Sequence, residues 1–240
     1  MSDRSVAGRY ARAVVARWRD GWAAQTADAR RTWTRTVLVG AVLLPFFTLA
    51  LIEVAQAMLA GGMLDWEADF LRALEAAGLM SFSFAVWYQT FGTDITLAIL
   101  LILAAGLAVW AGRPMIGLAL PIAWIGVDLA VRLGWAVWAR SRPDVIMGGM
   151  ASPGFHSFPS GHTGKTIAAY GILTWLWFRS SRSIVERIFA VLVFAFIALV
   201  VPTGRMRMGV HWPSDVIAGA IIGLAWAALL LFAARKERVG

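Results

Sequence analysis

The residues of this chain that could do chemistry are concentrated in three short stretches, at residues 142–144, 159–162 and 204–215. Two of the stretches contain a histidine, and two contain an arginine. One histidine can act as a nucleophile while the other protonates a leaving group. The planar guanidinium of arginine matches the oxygens of a phosphate. This combination predicts transfer of a phosphoryl group through a covalent phosphohistidine.

The third stretch contains the expected nucleophile, His211. Pro213 suits the first turn of a helix, so we expect a helix that begins near Trp212. Asp215, four residues after His211, can accept a hydrogen bond from one ring nitrogen and leave the other free to attack phosphorus. Water would then hydrolyse the phosphohistidine.

The second stretch combines an anion site with an acid. Backbone N–H groups at the start of a helix bind phosphate oxygens, and Gly161 lets an anion approach the backbone closely. Ser160 adds a hydroxyl donor, and His162 can protonate the leaving oxygen. Arg142 and Arg205, from the first and third stretches, would hold the phosphoryl oxygens.

Residues 158–166, FPSGHTGKT, also end like a nucleotide-binding loop. Pro159, however, stands where that loop has its first glycine, and no alternation of strands and helices precedes it. The composition argues further against a soluble nucleotide-binding protein.

Hydrophobic residues make up 60% of the 240 residues, and charged residues only 15%. Six apolar segments are near the length of about 20 residues that spans a bilayer as a helix; they cover residues 37–59, 94–111, 115–138, 165–178, 188–202 and 216–234. We therefore expect an all-α polytopic membrane protein, with a six-helix membrane domain at residues 37–240 after a basic cytoplasmic segment at residues 1–36. Because the fourth and fifth segments are short, five spans with a re-entrant segment are the alternative.

The net charge of +8 is distributed unevenly along the chain. Fifteen of the 22 lysines and arginines fall on one side of the membrane if the six spans are correct. Cationic segments stay in the cytoplasm, so we expect cytoplasmic termini and a site that faces the periplasm or the outside. This placement explains the charge by topology and lipid headgroups, and no nucleic-acid partner is expected.

Two segments outside the spans have an amphipathic pattern. Apolar residues recur among arginines over residues 5–31, which favours a basic helix on the cytoplasmic membrane surface over a weakly ordered tail. Residues 61–93 mix carboxylates with aromatic and aliphatic side chains and predict one short helix on the outer face.

The three stretches together resemble the signature of the type 2 phosphatidic acid phosphatase superfamily, which includes membrane lipid phosphatases and vanadium haloperoxidases. That signature reads K-x6-RP, PSGH and SR-x5-H-x3-D. The second motif matches fully, whereas Trp135 replaces the lysine of the first and Gly204 the serine of the third. The resemblance implies the same roles: His211 as nucleophile, Asp215 as its orienting carboxylate, His162 as acid, and a phosphate site that consists of Arg142, Arg205, Ser160 and Gly161.

Further cations lie near the motifs. Arg132, one turn before Trp135, could replace the missing lysine or form a salt bridge with Asp128. Lys165 could contact the substrate phosphate or reach water from the helix end. Arg140 and Arg207 could attract anionic headgroups or be surface charges, and His156 could contact substrate or lie in a solvated loop.

The predicted function is that of an integral lipid phosphatase of a bacterial inner membrane, which needs no metal or other cofactor. Its partners would be the bilayer and a lipid phosphate, with polyprenyl pyrophosphate favoured over lipid A phosphate, phosphatidylglycerol phosphate and phosphatidic acid. The alternatives are a lipid-phosphate binding protein or transporter without hydrolysis, a zinc site built from the histidines and Asp215, and a haloperoxidase. The sequence makes no prediction about oligomeric state.

Overall fold

The computed structural model describes residues 6–146, 149 and 156–238, and all regular structure in them is helical. The nine α-helices are α1 (Val6–Ala24), α2 (Ala27–Ala60), α3 (Trp66–Ala76), α4 (Phe82–Tyr88), α5 (Asp94–Trp110), α6 (Pro114–Val137), α7 (Gly161–Ser180), α8 (Ile184–Arg207) and α9 (Pro213–Ala233). Short 3₁₀ turns cover Gln89–Gly92 and Ala234–Lys236. The all-α prediction is confirmed.

Five helical segments in the described part of the chain are long and apolar enough to cross a membrane. They are Ala27–Ala60, Phe82–Trp110, Pro114–Val137, Ile184–Arg207 and Pro213–Lys236. The sixth long helix, α7, has 20 residues and a length of about 30 Å. Its first turns carry polar residues, and it packs against α6, α8 and α9. The predicted count of six spans is therefore approximate, because the helix that opens the candidate site is less apolar than the others.

The fourth and fifth predicted segments are shorter than the helices that contain them. They were predicted at residues 165–178 and 188–202, whereas α7 and α8 have 20 and 24 residues. Ser160 and Ser183 cap the two N-termini by accepting hydrogen bonds from backbone N–H groups of the first turn. The polar residues after each cap continue the helix, which an apolar count does not detect.

The basic N-terminal part is divided between two helices. The predicted N-terminal helix is present as α1, but its predicted range of residues 5–31 is too long: α1 ends at Ala24, and Thr26 caps α2 by accepting a hydrogen bond from Ala29 N at 3.1 Å. Because α2 begins at Ala27, the division predicted at residues 36 and 37 falls inside a helix. Trp33, before that division, already belongs to the main hydrophobic core.

The segment between α2 and α5 contains two helices, α3 and α4, where one was predicted. Ser81 caps α4 by accepting a hydrogen bond from Phe84 N at 3.2 Å. The side chain of Leu71 on α3 is fully buried, and α4 packs against the end of α8. Both helices lie at the end of the bundle where α7 and α9 begin, which we call the site end.

Glycines bring α7 and α9 into close contact. A Cβ at Gly219 would overlap the carbonyl oxygen of Ser160, and a Cβ at Gly223 would overlap that of Gly164. Small residues four apart on one helix allow this approach. The two N-termini are joined directly, because Ser160 N donates a hydrogen bond to Asp215 O at 3.0 Å. The second and third motifs therefore lie side by side.

Candidate active site

Four segments converge at the site end: the chain after α6, the start of α7, the end of α8 and the turn before α9. His162 interacts electrostatically with the charges of Arg205, Lys165 and Arg142, and also with His211. His211 in turn interacts with Arg205, Asp215 and Arg142. Side chains from all three predicted motifs thus share one electrostatic environment.

His211 is buried, with an exposed fraction of 2%. Its Nδ1 lies 2.9 Å from the carbonyl oxygen of Ser157 and 3.6 Å from Oδ2 of Asp215. The expected direct hydrogen bond to Asp215 is therefore replaced by one to a backbone carbonyl. Because a carbonyl only accepts, Nδ1 carries the proton and Nε2 keeps its lone pair.

Asp215 is fully buried and already has partners for both oxygens. Oδ2 accepts from the backbone N–H of Trp212 at 2.7 Å and so caps α9. Oδ1 accepts from Nη1 of Arg140 at 2.5 Å. The start of α9 directly after Trp212 confirms the prediction from Pro213. These bonds explain why the carboxylate stays beyond hydrogen-bond distance of His211.

The electrostatic environment keeps the nucleophile neutral. Burial lowers the pKa of His211, and the charges of Arg205 and Arg142 act in the same direction. Asp215 opposes this shift. Desolvation thus favours the uncharged imidazole, the form whose free lone pair could act as a nucleophile.

The N-terminus of α7 and two arginines lie where phosphate binding is expected from the sequence. Ser160 is the N-cap of α7 and exchanges a 3.0 Å hydrogen bond with Oγ1 of Thr163. Arg205 is 8% exposed; its Nη1 donates to the side-chain oxygen of Gln89, and its buried Nε has no partner among the described residues. Burial lowers the pKa of the Arg142 guanidinium, and the negative charge of Asp215 opposes this shift. A phosphate oxygen would satisfy the buried Nε donor of Arg205.

Lys165 and Arg132 belong to one charge cluster between α5, α6 and α7. The Lys165 ammonium binds Asp94 at 2.6 Å and Asp128 at 3.1 Å, and its side chain is 7% exposed. The expectation that Lys165 reaches water is therefore wrong. Arg132 forms the predicted salt bridge with Asp128 at 2.6 Å. Contact of either cation with phosphate stays a prediction.

Arg140 and Arg207 are not surface charges. Arg140 is buried and bound to Glu67 and Asp215. Arg207 donates to the Met80 carbonyl at 3.2 Å and lies 3.5 Å from Glu75. These contacts leave no local pattern in the sequence, because the partners lie up to 132 positions apart along the chain.

The structure also explains the two departures from the motif pattern. Trp135, at the lysine position, packs against the main core. A Cβ at Gly204, the serine position, would lie 3.3 Å from the carbonyl oxygen of Ala85. The glycine therefore lets α4 approach α8 closely, and Gln89 after α4 reaches Arg205.

Three residues of the site carry no motif signal. Glu67 is one of several carboxylates in its segment, and nothing in the sequence separates it from Asp65 or Asp69. Ser157 acts through its backbone carbonyl, which every residue type has. Gln89 depends on a contact across 116 positions. No group of three or more His, Asp or Glu side chains that could hold a metal ion occurs in the described part of the chain.

Residues 119–238, which contain all three motifs, match the family model of the PAP2 superfamily. The chain belongs to this superfamily. The resemblance drawn from the motifs is thereby confirmed at the level of the family.

One curated relative is a Lipid A 1-phosphatase of Rhizobium johnstonii. It is 35% identical over 131 residues, which cover 47% of this chain and 48% of the relative. The match thus spans about half the length of that protein.

Two solved structures share the fold. A transmembrane PAP2 type phosphatidylglycerolphosphate phosphatase from Bacillus subtilis has a TM-score of 0.68 and 19% identity, and the match covers 82% of this chain and 97% of that one. LpxE of Aquifex aeolicus has a TM-score of 0.53 and 21% identity, with coverage of 68% and 93%. The arrangement of helices is therefore shared with these two proteins.

Proposed function

We propose that this chain is a membrane lipid phosphatase that works through a phosphohistidine at His211. The observation that carries the proposal is the convergence of His211, His162, Arg142 and Arg205 at one end of a membrane helix bundle. Membership of the PAP2 superfamily supports the reaction class.

The proposed reaction has two steps. The Nε2 lone pair of His211 attacks phosphorus, and the bond from phosphorus to the lipid oxygen breaks as His162 donates a proton to that oxygen. Arg142, Arg205 and the first N–H groups of α7 balance the negative charge of the transferring group. Water then attacks phosphorus, His162 takes one of its protons, and the P–N bond breaks to release phosphate and free His211.

The proposed substrate is a phosphorylated saccharolipid of the lipid A type. The curated relative named for lipid A supports this choice. Polyprenyl pyrophosphate carries a second phosphate, which would need further cations. Arg140 and Arg207 are already bound by Glu67, Asp215 and Glu75, so they favour this substrate less than the sequence alone does.

The proposed orientation places the site at the periplasmic or outer face. The start of α2 and the segment after α9 lie at the opposite end of the bundle, where Lys236 binds Asp28 at 2.7 Å and Gln25 accepts from Arg238 N at 2.9 Å. The cationic segments next to these residues support a cytoplasmic position for that end.

The test is phosphate release by detergent-purified protein from lipid A, undecaprenyl pyrophosphate, phosphatidylglycerol phosphate and phosphatidic acid, with a chelator present. We expect release from lipid A that is lost in His211→Ala and strongly reduced in His162→Ala. Thermal unfolding checks that both variants are folded. Binding of these lipids by folded protein without any release would favour the non-hydrolytic alternative, and loss of activity with chelator would favour a metal site.

A further inference from the structure

Arg140 lies two residues before the phosphate-binding Arg142, yet its side chain is only 6% exposed. Its Nη2 binds Oε2 of Glu67 at 2.6 Å. Its Nη1 binds Oδ1 of Asp215 at 2.5 Å and Oγ of Ser214 at 2.7 Å. The guanidinium also lies near the rings of Trp138 and Trp212, at 5.2 and 5.5 Å. Its hydrogen-bonding edge is thus occupied by the protein itself.

Glu67 connects this arginine to the start of α9. One carboxylate oxygen binds Arg140, and the other accepts from the backbone N–H of Ser214 at 2.7 Å. Glu67 is 2% exposed and Asp215 is fully buried. Two buried carboxylates this close to one another need a shared cation, because unpaired buried charges are strongly unfavourable.

The backbone of Arg140 holds the second support of His211. Its carbonyl accepts from Ser157 N at 3.0 Å. The carbonyl of Ser157 in turn accepts from Nδ1 of His211 at 2.9 Å. One residue therefore fixes both groups that face Nδ1 of His211: the Asp215 carboxylate with its side chain and the Ser157 carbonyl with its backbone.

We propose that Arg140 and Glu67 are positioning residues for His211, which fix its Nδ1–H tautomer through Asp215 and Ser157 without touching substrate. The proposal rests on the proposed function for its kinetic consequences. A positioning role for Arg140 differs from a phosphate-binding role, since every Arg140 contact named above is to a protein group.

The kinetic test compares Arg140→Lys and Glu67→Gln with the control Asp69→Asn, which removes an exposed ion pair on the same helix α3. We expect kcat to fall about 10- to 100-fold in Arg140→Lys and less in Glu67→Gln. The KM and the inhibition constant of inorganic phosphate should change less than about threefold, because Arg142 and Arg205 are intact. A rise of the phosphate inhibition constant in parallel with the loss of kcat, or an unchanged kcat, would overturn the proposal.

A second test needs no turnover. The chain has 3 histidines, so ¹⁵N-histidine NMR of the full protein in detergent can follow His211, assigned by the signal that disappears in His211→Gln. We expect a single neutral Nδ1–H tautomer that becomes a mixture in Glu67→Gln, and in Arg140→Lys if that variant folds. Asp69→Asn should keep the original signal. An unchanged His211 signal in Glu67→Gln contradicts the positioning role, whereas absence of lipid hydrolysis by the unmodified protein contradicts only the proposed function.

Discussion

The imidazole of His211 is held by two groups with different tasks. The Ser157 carbonyl, at 2.9 Å, fixes the direction of the ring and the position of its proton. The Asp215 carboxylate, at 3.6 Å, acts through its charge. In the proposed reaction a positive charge develops on the ring when Nε2 bonds to phosphorus, and the nearby carboxylate would stabilise that charge. Geometry and electrostatics are thus supplied by separate residues.

The first prediction concerns the pH dependence of this nucleophile. Burial and the two arginines lower the pKa of His211 below its usual 6.5, and the neutral form is the reactive one. We therefore expect the decrease of kcat/KM at acid pH to begin below pH 6.5. Asp215→Asn removes the group that opposes the shift, so the acid limb should move to lower pH while the maximal rate falls. The substrate titrates equally in assays of both proteins, so the measurement is the difference between their pH profiles of kcat/KM. A shift of the acid limb to higher pH in Asp215→Asn would contradict the prediction.

The second prediction concerns the charge cluster around Lys165. Its ammonium lies between Asp94 and Asp128 and is nearly excluded from solvent. Lys165→Met leaves the partly buried Asp128 without one of its cations, and we expect a loss of about 2 kcal/mol in the free energy of unfolding. Arg132→Met is the control, because its side chain is 71% exposed and a surface ion pair contributes about 0–1 kcal/mol. Denaturant unfolding in detergent measures both variants, and equal losses would rule out a structural role for the buried pair.

At the scale of elements, the site depends on how closely α7 and α9 approach. Both helices begin at the site end. His162 lies in the first turn of α7, and His211 lies in the turn just before α9. Gly164, Gly219 and Gly223 remove the side chains that would separate the helices. The hydrogen bond from Ser160 N to Asp215 O then fixes one N-terminus relative to the other. The packing of these two helices therefore sets the distance between acid and nucleophile.

The third prediction tests this packing. The added methyl group of Gly219→Ala would collide with the Ser160 carbonyl, and overpacking of this kind costs about 1–3 kcal/mol. We expect a lower unfolding temperature and a lower kcat. Gly171→Ala, on α7, is the control: its Cβ would meet only Phe194 at 3.8 Å, and alanine favours helix by up to about 1 kcal/mol. If both variants unfold at the same temperature, close contact between α7 and α9 is not what holds the motifs together.

For the molecule as a whole, the sequence predicted the membrane helices and the motif residues but not the contacts that support them. The long apolar runs show where most helices lie, since their composition alone requires burial or lipid contact. The apolar pattern does not reach the start of α7, because its first turn carries Gly161, His162 and Gly164. Glu67 and Arg140 lie 73 positions apart, so their pairing depends on how the helices assemble. The Ser157 carbonyl leaves no trace in the sequence.

The last prediction concerns the orientation of the whole molecule in its membrane. The chain has no cysteine, so single cysteines can report the side of the membrane. Leu79→Cys lies at the site end, between α3 and α4, where the native side chain is 85% exposed. Asp20→Cys lies on an exposed position of α1, near the opposite end. In spheroplasts, a membrane-impermeant maleimide should label Leu79→Cys directly and Asp20→Cys only after permeabilisation. The reverse pattern would place the site in the cytoplasm, where it could act only on lipids of the inner leaflet.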